Sequence, residues 1–268
     1  MKRRSILLIT IACFGYALLY MPIASVVVYS FNASRLVTLW GGFSTRWYVS
    51  LLHDDKLLAA AFLSLRIAVI SATVATALGA LLALAMHRVR RLPGRLLLSG
   101  MITAPLVMPE IITGLSLLFL FISMASLIGW PATRGAATIT IAHITFSMAY
   151  VVVVVRSRLA VMDESLEEAA MDLGGRPVAV FFDVTVPMLL PALLSGWLLA
   201  FTLSLDDLVI SSFVSGPGAT TLPMLIFAKV RLGVTPDINA ITTIIIGLVI
   251  VAVTTAALVT NRRRATAA

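Results

Sequence analysis

Four ionisable side chains, Arg66, Glu110, Asp206 and Asp207, stand inside long apolar stretches. A charge at the centre of a bilayer costs at least ~2.5–3.5 kcal/mol on insertion scales, so such groups face a cavity or pair with one another. Carboxylates along a polar route would attract a cationic solute, provided that they hold it weakly enough to let it leave. Ser204, Asp207 and Ser211 recur at i, i+3 and i+7, one polar stripe on a helix. Asp206 points about 100° away from Asp207 on the same helix. The spacing predicts that Asp207 faces a pathway with Ser204 and Ser211. It predicts that Asp206 faces a protein partner, with Arg66 at similar depth as its ion-pair candidate. Glu110 falls about 20 Å along its own apolar segment, beyond mid-bilayer, and with Asp206 it is counted among the candidates for the pathway. The alternative makes all four a structural ion-pair network.

Other chemistry finds little support. There is no G-x-x-x-x-G-K-[ST] loop, and none of the lysines, Lys2, Lys56 and Lys229, follows a glycine. CxxC, HExxH and GxSxG are absent, and Cys13 is the single cysteine. His53, His87 and His143 are far apart in sequence and imply no metal site. His143 reads as a hydrogen-bonded interior histidine. No catalytic residue and no cofactor are assigned to this chain.

The elements that must place these residues follow from composition. Of 268 residues, 60% are hydrophobic and 12% charged, with mean hydropathy +1.05. A soluble domain carries roughly 25% charged residues, so the solvent for most of this chain is lipid. A membrane helix needs about 20 apolar residues. Six segments qualify: 6–30, 57–86, 96–128, 136–155, 189–213 and 241–260. The segment 96–128 contains Pro105, Pro109 and Glu110. Proline interrupts the backbone ladder, and the freed groups need partners inside the protein. The fold class expected is an all-α membrane protein of six transmembrane helices, forming one domain over 1–268.

The net charge of +8 reads as topology rather than as nucleic-acid binding, because arginine collects in cytoplasmic loops. With the N-terminus inside, 1–5, 87–95, 156–188 and 261–268 hold thirteen basic residues, against six in the outer pieces. Both termini are therefore expected to be cytoplasmic. Two outer segments exceed a turn. Residues 31–56 carry Trp40, Trp47 and Tyr48, and 214–240 carry Gly216-Pro217-Gly218, Pro223 and Pro236. They either sit at the headgroup level or dock an outside partner.

The inner loop, about 156–188, is the most informative. In 163–175, Leu166, Ala169, Ala170 and Leu173 recur at helical spacing. Gly174 and Gly175 suit the C-terminal cap of this short amphipathic helix, and Pro177 stops its continuation. A second helical stretch, 177–186, leads to Pro187 and the fifth segment. Small Ala169 and Ala170 would allow another protein to approach closely. Glu164, Glu167 and Glu168 would add charge for register and partner choice. A plain solvated loop helix is the alternative.

Glu168-Ala169-Ala170, three residues, Gly174, nine residues and then Val184-Thr185-Val186-Pro187 resembles the EAA loop of ABC-importer permeases, whose pattern is EAA, three residues, G, nine residues and I-x-L-P. Val184 and Val186 are conservative departures. Tyr29-Ser30-Phe31-Asn32, Thr103 to Glu110 and Ser204 to Gly218 resemble the polyamine branch, and the likeness covers nearly the whole chain. The resemblance implies a type I ABC importer permease-like bundle in a bacterial inner membrane. It implies import of a polyamine, putrescine first, with spermidine or another small solute as the alternative; a stand-alone secondary transporter would need no docking loop. It implies as partners a second permease subunit, an ATPase dimer that uses the ATP and Mg, and a periplasmic substrate-binding protein. The coupling residues it implies are Glu167, Glu168, Ala169, Ala170, Gly174 and Pro187.

Overall fold

The computed structural model describes residues 2–36, 39–89, 94–163, 165–233 and 235–266. Side chains are described over residues 8–251 of these and at Thr254. Arg90, Arg91 and Glu164 lie outside the described residues.

Helices account for the regular structure. They are α1 (Lys2–Tyr29), α2 (Arg46–Leu52), α3 (Asp55–Arg88), α4 (Arg95–Val107), α5 (Glu110–Ile128), α6 (Ala136–Leu159), α7 (Ser165–Asp172), α8 (Pro177–Val180), α9 (Val186–Asp206), α10 (Val209–Val214), α11 (Leu222–Leu232) and α12 (Pro236–Thr266). A π-helical turn, Phe181–Thr185, joins α8 to α9. Among the described residues no strand forms; Asn32 and Phe43 make an isolated bridge.

Five helical stretches are long and apolar enough to cross a membrane: 8–29, 55–88, 110–128, 136–159 and 177–206. The segment expected over 241–260 falls in α12, whose described apolar stretch, Pro236–Val251, is shorter. The segment expected over 96–128 is two helices, α4 and α5, parted at Met108 and Pro109. The residue before a proline is pushed from the helical to the extended region, and Met108 has φ −70° and ψ 137°.

The chain divides into two compact units, 1–58 with 226–268, and 59–225. In the first, α1 runs against α12, and no residue of the apolar window in 8–29 is buried. A helix apolar on all sides belongs against lipid or a neighbouring chain. The loop after α1 is built on buried Asn32. Its Nδ2 donates to the carbonyls of Leu36 and Leu39, its Oδ1 accepts from the amides of Ser34 and Gly41, and its carbonyl accepts from Trp47 Nε1.

The second unit is organised by α6. Val151, Val152, Val155 and Leu159 pack with Ala83, Leu84 and Met86 of α3, Ile102 of α4 and Leu189 of α9. Towards its other end, Ile139, Ala142 and Phe146 pack with Leu117 and Phe121 of α5 and Ile210 and Val214 of α10. Gly114 brings α5 onto α10, where an added Cβ would lie 2.7 Å from the Phe213 ring. These contacts hold the end of α9, the start of α5 and α10 around one stretch of α6.

Candidate functional site

The α9 helix stops at Asp206, without a proline or glycine to stop it. Asp207 adopts φ −64° and ψ 122°. Its side chain accepts from the amides of Ile210 (Oδ1, 3.2 Å) and Ser211 (Oδ2, 2.7 Å). These are donors that the first turn of α10 leaves without helical partners. The predicted segment 189–213 is therefore broken at Asp207 and Leu208, because an aspartate that caps a new helix competes with continuing the old one.

Ser204, Asp207 and Ser211 do converge, although the continuous helix assumed for their stripe is absent. They meet on His143 of α6. His143 Nδ1 lies 2.6 Å from Ser204 Oγ, and Nε2 lies 3.1 Å from both Asp207 Oδ2 and Ser211 Oγ. A carboxylate only accepts, so Nε2 donates to Asp207; in the neutral ring Nδ1 then accepts from the Ser204 hydroxyl. Serine, histidine and aspartate in contact could indicate a nucleophile. Here Ser204 is 4% exposed, His143 1% and Ser211 0%, and Ser204 offers no face to a substrate. The network fixes a helix break.

Asp207, expected to face a pathway, has its carboxylate engaged and is 9% exposed. Asp206, expected to face a protein partner, is exposed. The expected Arg66–Asp206 ion pair does not form: Arg66 is exposed on α3, and no ion pair reaches it among the described residues. Asp206, the last residue of α9, lines a cavity instead, and the break redirects Asp207 from its direction on an unbroken helix.

A cavity of about 390 Å³ opens between the α4–α5 break and the α9–α10 break. Glu110, Thr113, Tyr150, Asp206 and Asp207 supply its polar lining, and Pro105, Phe146 and Leu203 lie among its apolar walls. Glu110 opens α5 and Asp206 closes α9. The C-terminal ends of α4 and α9 meet the N-terminal ends of α5 and α10 here, so their helix dipoles oppose one another and the net negative charge comes from the carboxylates. The cavity thus combines two exposed carboxylates with an aromatic and apolar wall, a lining suited to a cation with an alkyl body.

The loop 163–187 forms the second candidate site. The α7 helix has no buried residue. Its end is a Schellman cap: Gly175 N donates to Ala170 O at 3.1 Å and Gly174 N to Met171 O at 2.9 Å. Gly174 has φ +89°, the left-handed backbone that favours glycine. Glu168 and Ala169 are exposed and Ala170 is half-buried. Glu168 makes no side-chain hydrogen bond or ion pair among the described residues. Glu167 differs. Arg88 Nη2 donates to both its oxygens, at 2.9 and 2.7 Å, and Thr185 Oγ1 donates to Oε1 at 2.6 Å. Pro187 is the second residue of α9, which runs on from the π turn, so its missing N–H leaves a carbonyl of the preceding turn without a helical partner.

Sequence reasoning did not single out Arg88 or Thr185, and gave His143 no named partner. Their partners lie 79, 18 and 61–68 residues away, and no local pattern announces such pairs.

In the other unit, Lys229 Nζ bridges Asp54 (3.1 Å) and Asp237 (3.0 Å). Burial alone would raise the Asp54 carboxyl, but the Leu57 amide and the Lys229 ammonium outweigh it and hold it below its ordinary value. Burial alone would lower Lys229, and its hydrogen bonds to Asp237 and Asp54 raise it instead. Arg35, Trp47 and these two aspartates line a neighbouring cavity of about 310 Å³.

Comparison with known proteins places this geometry. Residues 75–264 match the family described as binding-protein-dependent transport system inner membrane component. The chain is 59% identical to the putrescine transport system permease protein PotI of Escherichia coli K12, over 90% of this chain and 86% of that one. It is 43% identical to the spermidine/putrescine transport system permease protein PotC of Haemophilus influenzae, over 92% and 93% of the two chains. Among solved structures, a bacterial ABC transporter involved in the import of the acidic polysaccharide alginate matches with TM-score 0.73 at 17% identity, covering 97% of this chain and 96% of that one. The alginate transporter in complex with alginate pentasaccharide-bound periplasmic protein matches at TM-score 0.69 and 16% identity, over 94% and 93%. Those two likenesses concern the fold.

Proposed function

The chain belongs to the family of binding-protein-dependent transport system inner membrane components, and from that premise we propose that it is the permease subunit of an ATP-driven polyamine importer carrying putrescine into the cytoplasm. The observation that carries the substrate is the 59% identity to a putrescine permease over 90% of the chain. Spermidine is the second reading, because relatives at 43% identity are named for both amines.

Six spans cross the inner membrane with both termini cytoplasmic: α1, α3, α5 with α4 leading into it, α6, α9 and α12. The arginine bias of the inner loops supports this orientation. A second permease subunit completes the pathway. A periplasmic substrate-binding protein docks outside, and an ATPase dimer docks on the loop 163–187. ATP and Mg act on that dimer, and this chain needs no cofactor. Glu168, Ala169 and Ala170 provide the docking face, while Gly174 and Pro187 set where α7 ends and α9 begins. Glu110 and Asp206 line the amine route. Asp207, Ser204 and Ser211 hold the break that aims Asp206 into it. Arg66, exposed at membrane depth, takes its counter-charge from outside this chain.

The test is uptake of labelled putrescine into proteoliposomes that hold this chain with its second permease and ATPase, supplied with binding protein and internal ATP. ATP-dependent uptake, resisted less by spermidine than by unlabelled putrescine, is the expected result. Uptake that ignores ATP would replace the importer with a secondary transporter. Preferential competition by spermidine would reassign the substrate.

A further inference from the structure

An isolated helix shorter than about 12–15 residues is marginal in water. The α7 helix has eight residues, and none of them is buried. Its placement therefore depends on a few specific ties. At its C-terminal end the glycine cap joins it to Pro177–Val180. On its side, Glu167 is the only α7 side chain bonded to another element among the described residues.

That tie reaches two elements at once. Arg88 is the last residue of α3, and it gives Nη2 to both oxygens of Glu167. Thr185, fully buried in the π-helical turn that runs into α9, gives its hydroxyl to the same carboxylate. Arg88 also lies over Phe181, the first residue of that turn, with 5.9 Å from guanidinium carbon to ring centroid. The end of α3, α7 and the π turn thus close a triangle on one carboxylate. A π turn departs from regular helical bonding and recurs at functional sites. A connection from α7 to α3 that does not run through this turn gives a load placed on α7 a second route.

We propose that Arg88 is a positioning residue for coupling: through Glu167 it latches α7 to the end of α3, so that movement of the docking helix is passed to α3 directly as well as to α9 through the π turn. The adjacent Glu168 keeps its carboxylate free for the partner. The inference rests on the reading of 163–187 as the ATPase-docking loop. It adds that the force has two exits, and that one of them is a side-chain contact.

The test uses the assembled importer in proteoliposomes and reads amine imported per ATP hydrolysed. The variants are Arg88→Glu, Glu167→Arg and the two together. Each single charge reversal should lower the yield per ATP by about tenfold, the size of a disturbed coupling. The double reversal, which restores an ion pair in the opposite sense, should recover at least half of the loss. Thr185→Val, which removes one hydroxyl from a buried position, should give a smaller fall. A merely structural tie would change the amount of assembled complex and leave the yield per ATP alone. Unchanged yield in both single variants overturns the latch, as does a double reversal no better than the singles. If the singles do not assemble, the double decides: assembled and coupled supports the latch, anything else overturns it. Glu168→Ala, run in parallel, separates the two levels. Full coupling in Glu168→Ala removes the docking-loop reading itself, whereas its loss beside an unaffected Arg88 and Glu167 series removes only the latch.

Discussion

Glu167 and Glu168 on α7, and Asp206 and Asp207 at the end of α9, are two pairs of neighbouring acids in different solvents. Each pair has one member tied inside the chain and one exposed. In the loop, Glu167 is held by Arg88 and Thr185 while Glu168 has no partner among the described residues. At the break, Asp207 is held by His143 and two amides while Asp206 opens onto the cavity. The ties differ in strength. Arg88 is 47% exposed, so water and salt screen its pair with Glu167. His143 and Asp207 are sealed, with side chains 1% and 5% exposed, so a lost partner leaves a buried polar group unsatisfied. The same local pattern is thus a stability element at one site and a removable connection at the other.

The largest effect is expected at Asp207. Asp207→Ala removes the cap of α10 and one of the two partners of His143 Nε2, at a cost of about 2–4 kcal/mol. Assembled protein and transport should fall together, as measured by membrane levels and uptake. Asp206→Asn should leave the level unchanged and reduce uptake at limiting amine. Equal phenotypes at 206 and 207 would erase the distinction between tied and free acids at this site.

The loop pair should respond in function before stability. Glu168→Ala sits on an exposed face, where substitutions usually stay within about ±0.5 kcal/mol. Membrane levels should hold while ATP-driven uptake drops. Normal uptake would remove Glu168 from the docking face.

The cap of α7 offers a finer test. A Cβ at Gly175 would lie 2.7 Å from the Ala170 carbonyl oxygen and 2.8 Å from Val180 Cγ2. At Gly174 it would meet nothing within 4 Å, but the backbone is left-handed, a strain of about 1–2 kcal/mol. Gly175→Ala should therefore displace the end of α7 and lower uptake more than Gly174→Ala. The reverse order would mean that backbone handedness, rather than close approach, sets the position of the docking helix.

The smallest effect belongs to the Lys229 cluster in the other unit. Asp54 is lowered, so its contribution is present above its ordinary carboxylate value and is lost as pH falls through the lowered one. Lys229 is raised, so its contribution is complete below its ordinary value and is lost only as pH rises through the raised one. Trp47 fluorescence should thus stay flat between about pH 5 and 9. Lys229→Met should cost about 1 kcal/mol or less, since the groups are partly exposed. A fluorescence transition near neutrality would show that another group controls this cluster.

Sequence alone determined the features that depend on neighbours in the chain. Apolar runs locate the helices because lipid rewards every exposed apolar side chain in turn. The prolines in 96–128 announce an interruption because a proline restricts the residue before it, although only the structure shows that it falls at Pro109 while Pro105 stays inside α4. Gly174 and Gly175 mark the end of α7 because only glycine takes the left-handed turn and the close approach without strain. Spacing also brought Ser204, Asp207 and Ser211 together, although for a helix that does not run through them. Tertiary structure alone decided which acid of each pair is free. Side-chain direction at i and i+1 follows helical geometry only while the helix continues, and Asp207 ends it by capping α10. It also decided the partners, His143 for Asp207, Arg88 for Glu167, and none in the described chain for Arg66. Those pairings join residues 64 and 79 positions apart, and they exist because packing around α6 brings the ends of separate helices within hydrogen-bond reach.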